Sequence, residues 1–157
     1  MMNIGEICNR EVIVIEKNGA ILEAAKLMRQ YHVGDLVVVE QRQGVTYPVG
    51  IITDRDLVIE LVAAEVTFDS VTVGDVMSAN LLTAGEEDAV TETIKRMRSA
   101  GVRRVPVVNR HGGLEGVITM DDMIDLLAEL LEDLVGLVGG QSRRERRKCA
   151  AIGGGPT

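Results

Sequence analysis

The sequence predicts a mixed α/β (α+β) protein made of two pseudo-symmetric β-α-β-β-α repeats packed through their sheets. Three observations carry this. The first is internal repetition: a shift of 69 positions pairs Gly5-Glu6-Ile7 with Gly74-Asp75-Val76, Ala20 with Ala89, Glu23 with Glu92 and Lys26 with Lys95. The same shift pairs Met28-Arg29 with Met97-Arg98, Val33 with Val102 and Val38-Val39 with Val107-Val108. After a short excess around Gly44 to Tyr47 the register resumes at 66, matching Gly50-Ile-Ile-Thr53 to Gly116-Val-Ile-Thr119 and Asp56 to Asp122. The second observation is that each repeat alternates short apolar runs with segments of helical period. The third is composition. A chain of 157 residues that is 46% apolar and 26% charged can bury one ordinary core or two small ones. With aromatics at 2%, only Tyr31, Tyr47 and Phe68, that core is aliphatic, and the chain lacks the stacking residues of an oligonucleotide- or sugar-binding face.

Within the first repeat, β-branched Val12 to Ile15 predicts a short strand, and Asn18-Gly19 a turn. Ala20 to Tyr31 then places Ile21, Ala24, Ala25, Met28 and Tyr31 at helical spacing. Leu36 to Glu40 and Pro48 to Thr53 are apolar runs split by a polar loop, hence two strands, and Asp54 to Ala63 sets Leu57, Val58 and Leu61 on one helical face. The second repeat predicts strands at Leu81 to Ala84, Val105 to Asn109 and Leu114 to Thr119, and helices at Asp88 to Ala100 and from Met120 to about Val135. The domains fall at 1–65 and 73–138, with a linker at 66–72 and a basic, then glycine-rich tail at 139–157. Sheets of three strands expose an apolar face, so two such units pack together and leave one cleft per repeat. The last helix carries Leu126, Leu127, Leu130, Leu131 and Leu134, more than one core face needs, which points to a second copy of the chain.

A net charge of −7, from 24 Asp+Glu against 17 Lys+Arg, argues against broad binding to nucleic acid or to an anionic membrane. The exception is the run from Arg143 to Lys148, about +4 by counting, whose bland reading is a solubilising tail and whose sharper one is an acidic or nucleic-acid partner. Glu129, Glu132 and Asp133 interrupt the greasiest segment, so no membrane span is expected. Cys8 and Cys149 lack metal or redox spacing, and the start of the chain has no signal-peptide pattern, so a reduced, cytoplasmic protein is expected. Cys8 stands where the other repeat has Met77, which favours an apolar role for it. His32 and His111 have no partner at metal-ligand spacing, and no catalytic constellation is visible, so neither a metal site nor an enzyme is expected.

The informative positions are the strand-to-helix junctions Gly50-Ile-Ile-Thr53-Asp-Arg-Asp56 and Gly116-Val-Ile-Thr119-Met-Asp-Asp122. In each, a hydroxyl ends a strand and a carboxylate follows three residues later. This is a capping box with Asp in place of Glu, and capping alone would explain it. It also suits a nucleotide: the Thr hydroxyl and helix N-terminus can hold a phosphate oxygen, the carboxylate can accept ribose hydroxyls, and an aliphatic sheet can sandwich a purine.

Tandem units carrying GIITDRD, GVITMDD and VRRVPVV resemble a pair of cystathionine-β-synthase-type (CBS) domains, a Bateman module, over roughly Ile4 to Leu134. The resemblance implies a regulatory module that binds adenosyl ligands and does not catalyse: AMP, ADP or ATP foremost, NAD or S-adenosylmethionine behind them, none obligatory. It also implies a homodimer of pairs that signals to a separate effector protein. Each cleft in that family joins the Thr and Asp of one repeat to the first strand and pre-strand segment of the other. One site would therefore use Ile51, Thr53, Asp56, Leu81, Leu82, Val102, Arg103 and Arg104, with Arg55 helping. The second would use Val117, Thr119 and Asp122 with Val12, Ile13, Val33, Gly34 and Asp35. Arg103-Arg104 favours phosphate in the first, whereas the equivalent Gly34-Asp35 disfavours it in the second, which would be empty, weaker, or suited to a less anionic adenosyl compound. The competing reading is a dimerisation and docking scaffold that takes no ligand.

Overall fold

The computed structural model describes residues 2–152, with backbone alone for residues 142, 143 and 145–152. The side chains of the basic run other than Arg144, together with Cys149 and Gly153 to Gly155, lie outside the described residues. The chain divides into two compact units, one ending at Thr119 and the other beginning at Met120.

The first unit holds two three-stranded sheets, as the repeats predict. In the first sheet β1 (Val14–Glu16) runs parallel to β2 (Asp35–Arg42), which pairs antiparallel with β3 (Val45–Thr53). In the second, β4 (Ala84–Gly85) runs parallel to β5 (Arg104–Val108), which pairs antiparallel with β6 (Leu114–Thr119). Parallel neighbours need a crossover, and the helices α2 (Ile21–Tyr31) and α5 (Val90–Ala100) supply it. Each buries a Met toward its sheet, Met28 and Met97. α2 ends on His32 in the left-handed region (φ 52°), and α5 on its repeat equivalent Gly101 (φ 67°), so His32 has a capping role. β3 and β6 lie against each other, so the two sheets meet through these strands. After β3, α3 (Asp54–Leu57) widens into a π-helical turn at Val58–Val62, where Ala63 N–H donates to Val58 C=O.

Two short helices absent from the periodicity reading hold the halves together by exchange. α1 (Ile4–Ile7) precedes the first repeat's strands yet bonds to the second: Ile4 N–H donates to Asp88 C=O and Gly5 N–H to Glu86 C=O, each at 2.9 Å. Its counterpart α4 (Val73–Val76) bonds to the first repeat, with Val73 N–H to Gly19 C=O at 3.0 Å and Gly74 N–H to Lys17 C=O at 2.8 Å. Val73, fully buried, joins the first repeat's core of Ile15, Ile21, Ala24, Met28, Leu36, Val38, Ile52 and Leu61. The exchange continues as backbone pairing: Ser78 bridges Ile51, and Asn9 bridges Val117. The glycine one residue before each bridged strand position makes room for it. A Cβ at Gly50 would lie 2.7 Å from the Ser78 carbonyl oxygen, and one at Gly116 2.8 Å from that of Asn9.

The second unit is α6 (Met120–Ile152), which runs well past the predicted end near Val135. Ile124, Leu127, Leu131, Leu134 and Val138 are all exposed along it. Among the described residues no helix is long and apolar enough to cross a membrane.

Candidate functional site

Thr53 is the last residue of β3 and the N-cap of α3. Its hydroxyl accepts a hydrogen bond from Asp56 N–H at 3.0 Å, and its own N–H donates to Asp56 Oδ2 at 2.9 Å. Both bonds of the capping box are therefore present. They consume one lone pair of the hydroxyl and one carboxylate oxygen. The hydroxyl's proton and Asp56 Oδ1 take no part in the box, so capping and ligand binding are compatible at this junction.

Beside it lies a cavity of about 320 Å³ lined by Ile51, Thr53 and Asp56 from the first repeat and by Leu81, Leu82, Val102, Arg103 and Arg104 from the second. The exchanged segment builds its wall: because Ser78 pairs with Ile51, the chain that follows passes Asn80, Leu81 and Leu82 across the mouth of β3. Ser78 and Asn80 line the cavity too, and sequence reasoning missed them. The only signal was their place in the pre-strand segment leading to Leu81. Arg55 does not line it; with Asp54, Val58 and Ile59 it borders a separate surface concavity.

Asp35, assigned from the sequence to the other cleft, also lines this cavity. It sits opposite Thr53 in the β2–β3 ladder, as Arg104 sits opposite Thr119 in the β5–β6 ladder. Asp35 and Arg104 are equivalent in the repeat, and they meet: Arg104 Nη1 lies 2.7 Å from Asp35 Oδ1. Equivalent residues touch each other only near a pseudo-twofold axis, so Asp35 and Arg104 lie near the one that relates the two repeats. Asp35 Oδ1 is sealed from solvent and has no aligned hydrogen bond, so the contact is an ion pair of charge alone. Burial pushes the Asp35 carboxyl above its ordinary value of 3.8, Asp54 adds to the rise, and Arg104 opposes it. The sign for stability follows. A carboxyl raised in the folded state costs nothing while protonated, and its cost grows as pH rises through the folded value. The melting temperature of Asp35→Asn relative to wild type is expected to climb as pH rises above the ordinary carboxyl value of 3.8 and to level off once the folded carboxyl is ionised. A flat difference across that range would contradict it.

Of the remaining residues in the second predicted set, Val12, Ile13, Val33 and Thr119 are half-buried, Val117 is buried and Gly34 is exposed. Asp122 stands in the first turn of α6. Cys8 is half-buried, its thiol held above the ordinary range chiefly by burial, as suits an apolar position. Among the described residues no group of His, Cys, Asp and Glu could hold a metal ion.

The family model for the CBS domain matches residues 4–63 and 73–129. The chain is 36% identical over 125 residues to protein MK0525 of Methanopyrus kandleri, a match that covers 80% of this chain and 62% of that protein, so this chain spans less than two thirds of that relative. Among solved structures it is similar to the CBS domain protein PAE2072 of Pyrobaculum aerophilum complexed with AMP, at 26% identity and TM-score 0.71 over 83% of this chain and 97% of the other. It is likewise similar to the CBS domain pair of protein MJ0100 in complex with 5′-methylthioadenosine and S-adenosyl-L-methionine, at 26% identity and TM-score 0.69 over 82% and 98%.

Proposed function

The chain belongs to the CBS-domain family, and we infer that it is a non-catalytic sensor which takes an adenosyl ligand, AMP, ADP or ATP ahead of NAD or S-adenosylmethionine, and relays its presence to a separate effector protein in the cytoplasm. The observation that carries this is the single cavity in which Thr53 and Asp56 of one repeat face Leu81, Leu82, Val102, Arg103 and Arg104 of the other. Asp56 Oδ1 accepts from the ribose hydroxyls, and the Thr53 hydroxyl donates to a phosphate oxygen. Ile51, Leu81, Leu82 and Val102 enclose the purine, while Arg103 and Arg104 add charge-assisted bonds. Its volume suits a small molecule of about nucleotide size. Because both repeats contribute walls, filling it favours one mutual arrangement of the halves, which is the form a signal would take.

The second copy expected from the sequence fits α6. Ile124, Leu127, Leu131, Leu134 and Val138 alternate steps of three and four, the spacing of a coiled-coil seam, and are 52–67% exposed. We assign this face to a second copy of the same chain.

A thermal-shift panel of AMP, ADP, ATP, NAD, S-adenosylmethionine and the guanine counterparts tests the ligand. Binding to the native state alone should add about 2.7 kcal/mol at a hundredfold excess over Kd. Asp56→Ala should weaken the best adenosyl ligand on the order of 10–100-fold, while Asp122→Ala should leave it within about twofold. No shift with any adenosyl compound would favour the ligand-free scaffold. Loss in Asp122→Ala with retention in Asp56→Ala would overturn the assignment of the cavity.

A further inference from the structure

The cavity contains two guanidiniums and two carboxylates, and the carboxylate of Asp35 already engages one of the guanidiniums. We propose that Asp35 determines the charge class of the ligand: by occupying Arg104 and adding its own negative charge, it restricts the cavity to an adenosyl ligand with at most one phosphate group and selects against di- and triphosphates. This rests on the adenosyl reading above and narrows it.

The ground for this is charge. Arg103 is exposed, so its attraction for phosphate is screened by water. Arg104 is the more enclosed of the two, its side chain 29% exposed, and would otherwise be the stronger anion partner. Asp35, 25% exposed at its side chain, stands 2.7 Å from it. A phosphate that bonds to Arg104 must therefore approach a carboxylate sealed from solvent at Oδ1, with Asp54 and Asp56 also near. Counting formal charges, Asp35 and Asp56 offset Arg103 and Arg104, so the cavity offers no surplus positive charge to a polyphosphate. Repulsion by Asp35 grows with each negative charge the ligand brings. Adenosine, without charge, does not sense Asp35 electrostatically.

The test is a binding series of adenosine, AMP, ADP and ATP by calorimetry on wild type, Asp35→Asn and Arg104→Gln. In wild type AMP is expected to bind at least ~10-fold more tightly than ATP. Asp35→Asn should tighten AMP about tenfold and ATP by more, with adenosine changed less than twofold. Arg104→Gln should bring AMP down toward adenosine. ATP binding more tightly than AMP to wild type would overturn the proposal with no variant needed. So would an Asp35→Asn protein that binds every member of the series as wild type does, or shifts adenosine as much as AMP. Binding of adenosine with such an outcome would leave the adenosyl reading standing, whereas failure of all four ligands on wild type would remove both.

Discussion

Val73→Asp is expected to remove a large part of the stability of the fold, although Val73 belongs to the second repeat in sequence and its substitution leaves the first repeat's own residues untouched. The side chain is fully buried in the first repeat's core, with Ile21, Ala24, Leu36 and Ile52 in the same cluster. Burying it contributes roughly 1.5–3 kcal/mol. An aspartate there forfeits that and places a carboxylate among aliphatic side chains, for a total of more than about 4 kcal/mol against a stability on the order of 5–15 kcal/mol. Val58→Asp, at a position more than half exposed, should change stability by no more than about 0.5 kcal/mol. Urea melts of the two variants beside wild type make the comparison. A Val73→Asp protein melting within about 1 kcal/mol of wild type would show that the exchanged helix does not hold the halves together.

The double variant Leu127→Lys, Leu134→Lys is expected to convert a dimer to a 17.0 kDa monomer while leaving the fold and the cavity intact. Both leucines are 59% exposed, so in a lone chain they lose little packing on replacement. In a two-stranded seam each would be a central knob enclosed by four residues of the partner, and two charged replacements should cost on the order of 4 kcal/mol, close to a thousandfold in association. Sedimentation equilibrium at tens of micromolar reads the result. A wild-type chain that is monomeric there, or a double variant of unchanged dimer mass, would remove the seam.

What was legible in the sequence follows the range of the interaction. α2, α5, β2, β3, β5 and β6 appear where period and β-branched runs put them, because each is specified by residues within its own length. β1 and β4 shrink to three and two residues, since each pairs with one neighbour only and Val12, Ile13, Leu81 and Leu82 fall outside the ladders. α1 and α4, four residues each, are too short for periodicity to register. The capping carboxylates Glu6 and Asp75, bonded back to Asn3 N–H at 2.9 Å and Thr72 N–H at 2.8 Å, were a readable sign of both. Their docking onto the opposite repeat was not, because nothing local encodes a partner more than fifty residues away. The cavity shows the same division. Thr53 and Asp56 stand out through spacing, and the walls follow from the resemblance of the tandem repeat to a known family. The placement of Asp35 depends on how close it lies to the pseudo-twofold axis, which pairing residues by equivalence assigns to one side or the other but never to both.

The exchange of α1 and α4 has a consequence for how the two halves find each other. A single repeat on its own chain would carry a helix with no seat and a seat with no helix, so two such chains would have to lend each other these segments at a rate set by their abundance. Joining the two matched segments, 4–63 and 73–129, in one chain makes that encounter intramolecular. The halves then meet at an effective concentration of roughly millimolar order, whatever the number of copies present. The cavity, whose walls come from both halves, is accordingly assembled as surely in one isolated molecule as in a concentrated solution.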